Sequence, residues 1–362
     1  MTDFVLDNTD FANQPKTDLN PIGANDPLKW IQGVDWQEVL QACKDLRNYA
    51  LHRLVHGGIF RSNGMDGVHH FDGVTTILGV PPATVDGVAN TYHFTRDLHL
   101  DDGCIIDAGV RIWVENCRFL WRGTLTNNGH VHNDGRPGIG RASGSNSNSR
   151  TYAAGNGSGG NGSNGPGAGT AGTATTSVSD TWSSQVTTAA GAAGADKGQG
   201  GGGGSAGANA GGGGGAVTVI GLSPRLDILA LFMGRTSSGF AAYGHGSGGG
   251  GGAVVGGSTG QGGGGGAGGC WLFAGGDILA GTGSITCKGG KGADAVLGDS
   301  VGAGGGASGG GGILGLMYTT NIGPNTFSAS GGTAGVGHGT GANGGVGSAG
   351  DVVDFNLSND GT

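Results

Sequence analysis

The chain has 362 residues, 89 of them glycine, and a formal net charge of −8. That charge argues against nucleic acid or anionic lipid as the main partner. Proline is scarce and glycine does not recur at every third position, which excludes a collagen triple helix.

Glycine is unevenly spread: 11 fall in residues 1–120 and 78 in the remaining 242. Between Arg141 and Gly350 there are 7 Lys/Arg and 6 Asp/Glu, too few charges for an ordinary disordered segment. No apolar run reaches the roughly 20 residues of a membrane span, so no membrane insertion is expected. The first residues lack the basic and apolar regions of a secretory signal. The five cysteines (Cys43, Cys104, Cys117, Cys270, Cys287) form no CxxC pair and are odd in number. They read as reduced thiols of a protein made in a cytoplasm.

Residues 1–34 place isolated apolar side chains among Asn, Asp and Pro, the pattern of an extended anchoring arm. Residues 35–58 predict an amphipathic helix. Asp35 and Glu38 form a capping box, Trp36, Val39, Cys43, Leu46 and Ala50 follow helical spacing, and Gly57 and Gly58 end it. A lone helix of this length is marginal in water. It must pack on its own domain, on copies of itself or on a neighbouring protein. Trp30, Trp36, Val39, Cys43 and Leu46 are therefore candidates for anchoring or oligomerisation, a homotrimer included.

Residues 59–140 predict a β domain. Ile106, Ala108, Val110, Ile112 and Val114 alternate as in a half-buried strand, with Leu98 and Leu100 in the same phase. The segment Leu125 to Val131 recurs as Leu279 to Ile285, and a third copy, Ile322 to Phe327, is one residue shorter. Strands are expected at Trp271–Ala274 and Leu314–Tyr318, just upstream of the later copies. Strand, tight turn, strand and glycine loop is a period that suits stacked coils of a solenoid. Residues 216–233 supply a further, less regular coil. Residues 141–199, rich in Ser, Asn, Thr, Ala and Gly, read as long loops.

Residues 200–362 form a glycine-rich β/polyglycine-II domain with glycine tracts at 200–204, 211–215, 248–252, 262–266 and 309–312. One such tract is a flexible linker, since ordering glycine costs more entropy than ordering any other residue. Several side by side can exchange amide bonds in a three-residue-per-turn helix and satisfy one another. The alternatives are a packed bundle and disordered linkers, and regular returns to Val- and Ile-rich strands favour the bundle. The expected fold is thus mainly β with glycine-rich polyglycine-II helices: a short N-terminal helix, then β-solenoid-like strands interleaved with a polyglycine-II bundle.

Matches to GxGxxG carry no weight in such a composition. GxSxG occurs around Ser205, Ser258 and Ser308 without a following helix, so no esterase and no other enzyme is expected. Asp97, Asp101, Asp102 and Asp107 read as solvated turn carboxylates. His130 and His132 put two imidazoles on one strand face, a weak metal candidate that depends on a trimer axis; otherwise both face solvent. No cofactor is called for. Tyr152, Trp182, Tyr243 and His245 lie in polar or glycine-flanked segments. They are candidates for receptor binding or for holding loops to the bundle.

Residues 19–22, with Trp36 to Arg47, resemble the N-terminal segment of many phage structural and fibre proteins. Gly123 to Gly135, followed by glycine tracts, is similar to glycine-rich phage virion proteins. As a class the glycine region resembles the distal adhesins of some tailed phages, polyglycine-II-containing tail fibre tips. The resemblance covers residues 123–350 as a pattern. It implies a virion fibre or adhesin held to other virion proteins through residues 1–55. Its distal loops would contact a host-surface protein or polysaccharide. A non-adhesive head fibre or capsid decoration is the alternative it leaves open.

Overall fold

The computed structural model describes residues 62–115, 118–138, 159–163, 165–172, 175–177, 198–215, 217–219, 246–256, 262–296 and 301–356. The predicted arm and helix, with Trp30, Trp36, Val39, Cys43 and Leu46, lie outside the described residues. Those residues form mainly β-structure, with sheets mostly parallel and no helix among them.

Two ladders carry the apolar core. The first orders β1 (His70–Phe71), β5 (Cys104–Ile106), β8 (Thr124–Asn127), β13 (Leu272–Ala280), β16 (Ile313–Ile322) and β19 (Asp351–Asn356), all parallel. Beside β8, β7 (Arg118–Trp121) pairs the first half of β13, and β4 (Leu98–Leu100) pairs β7. The second runs β2 (Ala83–Val85), β3 (Val88–Phe94), β6 (Arg111–Val114), β9 (His130–His132), β14 (Ser284–Thr286) and β17 (Thr326–Ser328). Only its β2–β3 pair is antiparallel. In-register parallel pairing puts like beside like: Ile112, Val131, Ile285 and Phe327 form one column. The first three are fully buried. Phe71, Tyr92, Phe94, Phe119 and Trp121 fill the core at its N-terminal end.

The alternation from Ile106 to Val114 is not one strand. Ile106 ends β5 in the first ladder and Arg111 starts β6 in the second, with Ala108 exposed between them. Gly109, at φ +80°, makes the corner, a conformation open to glycine at no steric cost. The apolar phase survives because both strands face the same core.

The sequence repeat is a spatial one. Leu125 pairs with Leu279 and Val131 with Ile285, although 154 positions separate each pair. The third copy needs a correction. Phe327 sits opposite Ile285, but Asn321, not Ile322, sits opposite Leu279. The copy is therefore Asn321 to Phe327, equal in length to the others. Ile322, 58% exposed, follows the outward side. Asn325 closes this turn by donating to Gly281 O at 3.0 Å.

After His132 the chain leaves the ladders and returns only at Leu272; it leaves again over 287–312 and 329–350. These excursions build the glycine region. Every amide from Gly304 to Gly312 donates to a backbone carbonyl at 2.7–3.1 Å. The partners rotate with a period of three. Gly304, Ala307 and Gly310 reach Ala253, Gly250 and Ser247; Gly305, Ser308 and Gly311 reach Ala342, Gly345 and Ser348; Gly306, Gly309 and Gly312 reach Ala293, Gly290 and Cys287. Three further segments donate to this one: Gly263, Gly266 and Gly269; Gly201 and Gly204; Gly332 and Gly335. The central tract is thus hydrogen-bonded to six neighbours, and residues 302–312 are all buried.

Such close approach excludes side chains at most positions: a Cβ on Gly306 would lie 2.2 Å from Gly264 O. Residues 159–163 and 165–172, read from sequence as loop, belong to this lattice; Gly160 donates to Gly249 O and Gly172 to Gly213 O. At one end β12 (Val254–Val255), β15 (Gly302–Ala303) and β18 (His338–Gly339) form a small antiparallel sheet. β10 (Thr175–Ser177) and β11 (Val217–Val219) form a parallel pair. Val217–Val219, expected to join the stacked coils, pairs with β10 instead; residues 221–233 lie outside the described set.

Candidate functional site

Tyr152, Trp182, Tyr243 and His245 lie outside the described residues, but the points from which their segments depart are well placed. The register of β10 and β11 sets Ser177 beside Val219, so residues 178–197 and 220–245 leave from adjacent strand ends. The chain comes back at Gly198 and Gly246, again adjacent: Ser247 N donates to Gly198 O at 2.7 Å. The Ser247 hydroxyl ties this junction together. Fully buried, it donates to Gly215 O at 2.6 Å and accepts from Gly200 N at 2.8 Å. The described ends that flank the Trp182 segment are thus adjacent to those that flank the segment of Tyr243 and His245. Tyr152 belongs to a separate segment, between Gly138 and Gly159.

His130 and His132 are not solvent-facing. β9 lies inside the second ladder, and the His132 side chain is 7% exposed. The two rings stack at 4.7 Å. His130 Nε2 donates to Thr286 Oγ1 at 2.7 Å, and Thr286 Oγ1 donates to Asp134 Oδ1 at 2.6 Å. His132 Nδ1 accepts from Asp134 N at 3.3 Å, which leaves the proton on Nε2. That Nε2 is buried with no hydrogen-bond partner among the described residues. Burial, and then the charges of Arg111 and Lys288, push the His130 pKa down to about 4 against the pull of Asp134. Burial, and then His130, Arg111 and His93, hold His132 well below its usual range. Both rings are neutral at pH 7. No group of three His, Cys, Asp or Glu able to hold a metal ion occurs among the described residues.

The column continues through Trp113, whose ring stacks on His93 at 4.0 Å and lies 6.3 Å from His132. Arg136 covers Trp113 at 5.2 Å and is held by Asp86 through two hydrogen bonds, 3.0 and 3.1 Å. None of these contacts follows from local pattern; His93, Trp113 and His132 come from β3, β6 and β9, which meet only through the ladder register, and Arg136 and Asp86 flank strands of that ladder.

The four aspartates of the turn region are engaged in structure. Asp97 binds Arg118 Nη2 at 2.8 Å, Asp101 pairs with Arg122, Asp102 accepts from Thr124 N at 2.6 Å, and Asp107 lies 2.9 Å from His70. Of the GxSxG serines, Ser308 is buried. It donates to Gly332 O and accepts from Gly347 N, both at 2.7 Å, so its hydroxyl is consumed by the lattice. Cys104, Cys270 and Cys287 are buried thiols. Searches of protein families, curated proteins and solved structures find no match to this chain.

Proposed function

We propose that this chain is a structural protein of a bacteriophage virion, a fibre or adhesin that presents two tethered segments to a host surface. In this reading the ladders are solenoid-like coils and the glycine region is a polyglycine-II bundle. The period of three in its amide bonding supports the second assignment, because a helix with three residues per turn aims every third N–H at the same neighbour. The bundle serves as a rigid scaffold: with side chains nearly absent and amides saturated, its tracts have little freedom to shear.

The observation that carries the recognition role is the pairing of β10 with β11 together with the Ser247 junction. A rigid base from which two aromatic-bearing segments depart together reduces the entropy lost when they close on a partner. The ligand is a host surface protein or polysaccharide, and the N-terminal region joins the virion. The test is cell binding across a panel of bacterial strains, with blocking of infection by the purified protein. Replacing both 178–197 and 220–245 by short Gly-Ser linkers should abolish binding and blocking while the thermal transition persists. Virions that lack the whole protein yet adsorb normally would instead identify a decoration protein.

A further inference from the structure

A cleft of about 130 Å³ opens where the second ladder meets the segment Asp134 to Pro137 that follows β9, with room for several waters. Val85, Val88 and Pro137 give it an apolar wall, and Arg111, His132 and Arg136 a donor-rich one. Its own carboxylates are already matched. Both oxygens of Asp86 accept from Arg136. Asp134 Oδ1 accepts from Thr286 Oγ1 and from Lys288 N at 2.7 Å, and its Oδ2 faces His130 and His132 at 3.7 Å. On the donor side, His132 keeps an N–H without an acceptor, and Arg111 adds a guanidinium charge felt at both imidazoles. A buried N–H with no acceptor is destabilising.

The geometry points to a binding site for a small carboxylate with a short apolar tail, its oxygens on the Arg111 and His132 side and its carbons against Val85, Val88 and Pro137. The site is independent of the two tethered segments and of the adhesin reading. The carboxylate could come from a free short-chain acid or from an acidic sugar of a polysaccharide.

The experiment is titration of the full chain, carrying ring-labelled histidine, with acetate, propionate and glucuronate, followed by NMR; the His132→Gln spectrum assigns the His132 signal. Acetate and propionate should shift the His132 ring saturably, whereas chloride and methyl acetate should not. Arg111→Met should weaken that binding tenfold or more, the scale of one hydrogen bond to a charged group. Saturation by glucuronate would identify an acidic sugar as the source, and saturation by acetate and propionate alone a free acid. Absence of a saturable shift in the unmodified chain, or an equal shift with chloride or methyl acetate, would mean that the cleft holds only water and would overturn the assignment.

Discussion

Replacing Gly309 by alanine tests the packing of the glycine region at its centre. The added Cβ would lie 2.2 Å from Ala267 O and 2.5 Å from Gly268 N, both backbone atoms. Carbon–oxygen contact needs more than 3 Å, so the tract 262–270 must retreat by about 1 Å from the central one. The bonds joining the two there, Gly266 to Ala307 at 2.9 Å and Gly269 to Gly310 at 2.7 Å, would stretch beyond bonding range. The bond from Gly290 N to Ala267 O at 2.6 Å would be strained with them. Three net bonds at about 1 kcal/mol each, plus about 1–3 kcal/mol for overpacking, are offset by about 0.4–1 kcal/mol of unfolded-state entropy. The expected loss is about 3–5 kcal/mol, a large share of an ordinary stability. Urea unfolding followed by circular dichroism measures it. Gly167→Ala is the control, because a Cβ there meets the Ser163 side-chain Oγ at 3.2 Å and Gly165 O at an ordinary 4.0 Å; its effect should stay within about 0.5 kcal/mol. Equal midpoints for the two variants would refute a close-packed lattice.

Ser247→Ala removes the buried hydroxyl that serves Gly215 O and Gly200 N, and should cost about 2 kcal/mol in the same assay. Lowering the pH should destabilise the fold through His130 and His132. Their folded pKa values lie below the unfolded value of 6.5, so the unfolded chain binds more protons and stability falls from pH 6.5 to about 4. For His130 this is on the order of 2–3 kcal/mol. The His130→Gln/His132→Gln double variant should flatten that part of a pH-dependent urea series, and an unchanged slope would count against burial of the pair. In a Cys43→Ser/Cys117→Ser background, the remaining thiols should resist iodoacetamide until urea unfolds the protein. All three are buried, and burial raises the pKa of Cys104 and, further, of Cys287. Gly276→Ala would drive a Cβ to 2.3 Å from the fully buried Trp121 ring. It should quench or shift tryptophan fluorescence and lower the thermal midpoint.

Much of the β-structure was legible along the chain, because in-register parallel stacking makes like residues neighbours and so leaves a repeat in the sequence. Leu125 with Leu279 and Val131 with Ile285 were matched by pattern alone and are ladder partners. The glycine tracts were visible too, but a tract alone suits a flexible linker as well as close backbone approach, and only their amide bonding to one another decides between the two. Tertiary structure decided the rest. Whether Ile106 to Val114 is one strand or two depends on the corner at Gly109, and apolar phase is the same in either case. The alignment of the third repeat turned on Asn321, which is polar and invisible to an apolar pattern. His130 and His132 looked solvent-facing because strand alternation gives a side, not a depth. Their depth comes from β6 and β14 on either hand, the latter supplied by chain that returns after 133–271. The same long return brings the β10 and β11 ends together. Contacts of that kind are fixed by which backbones share amides, and no local run of residues encodes them.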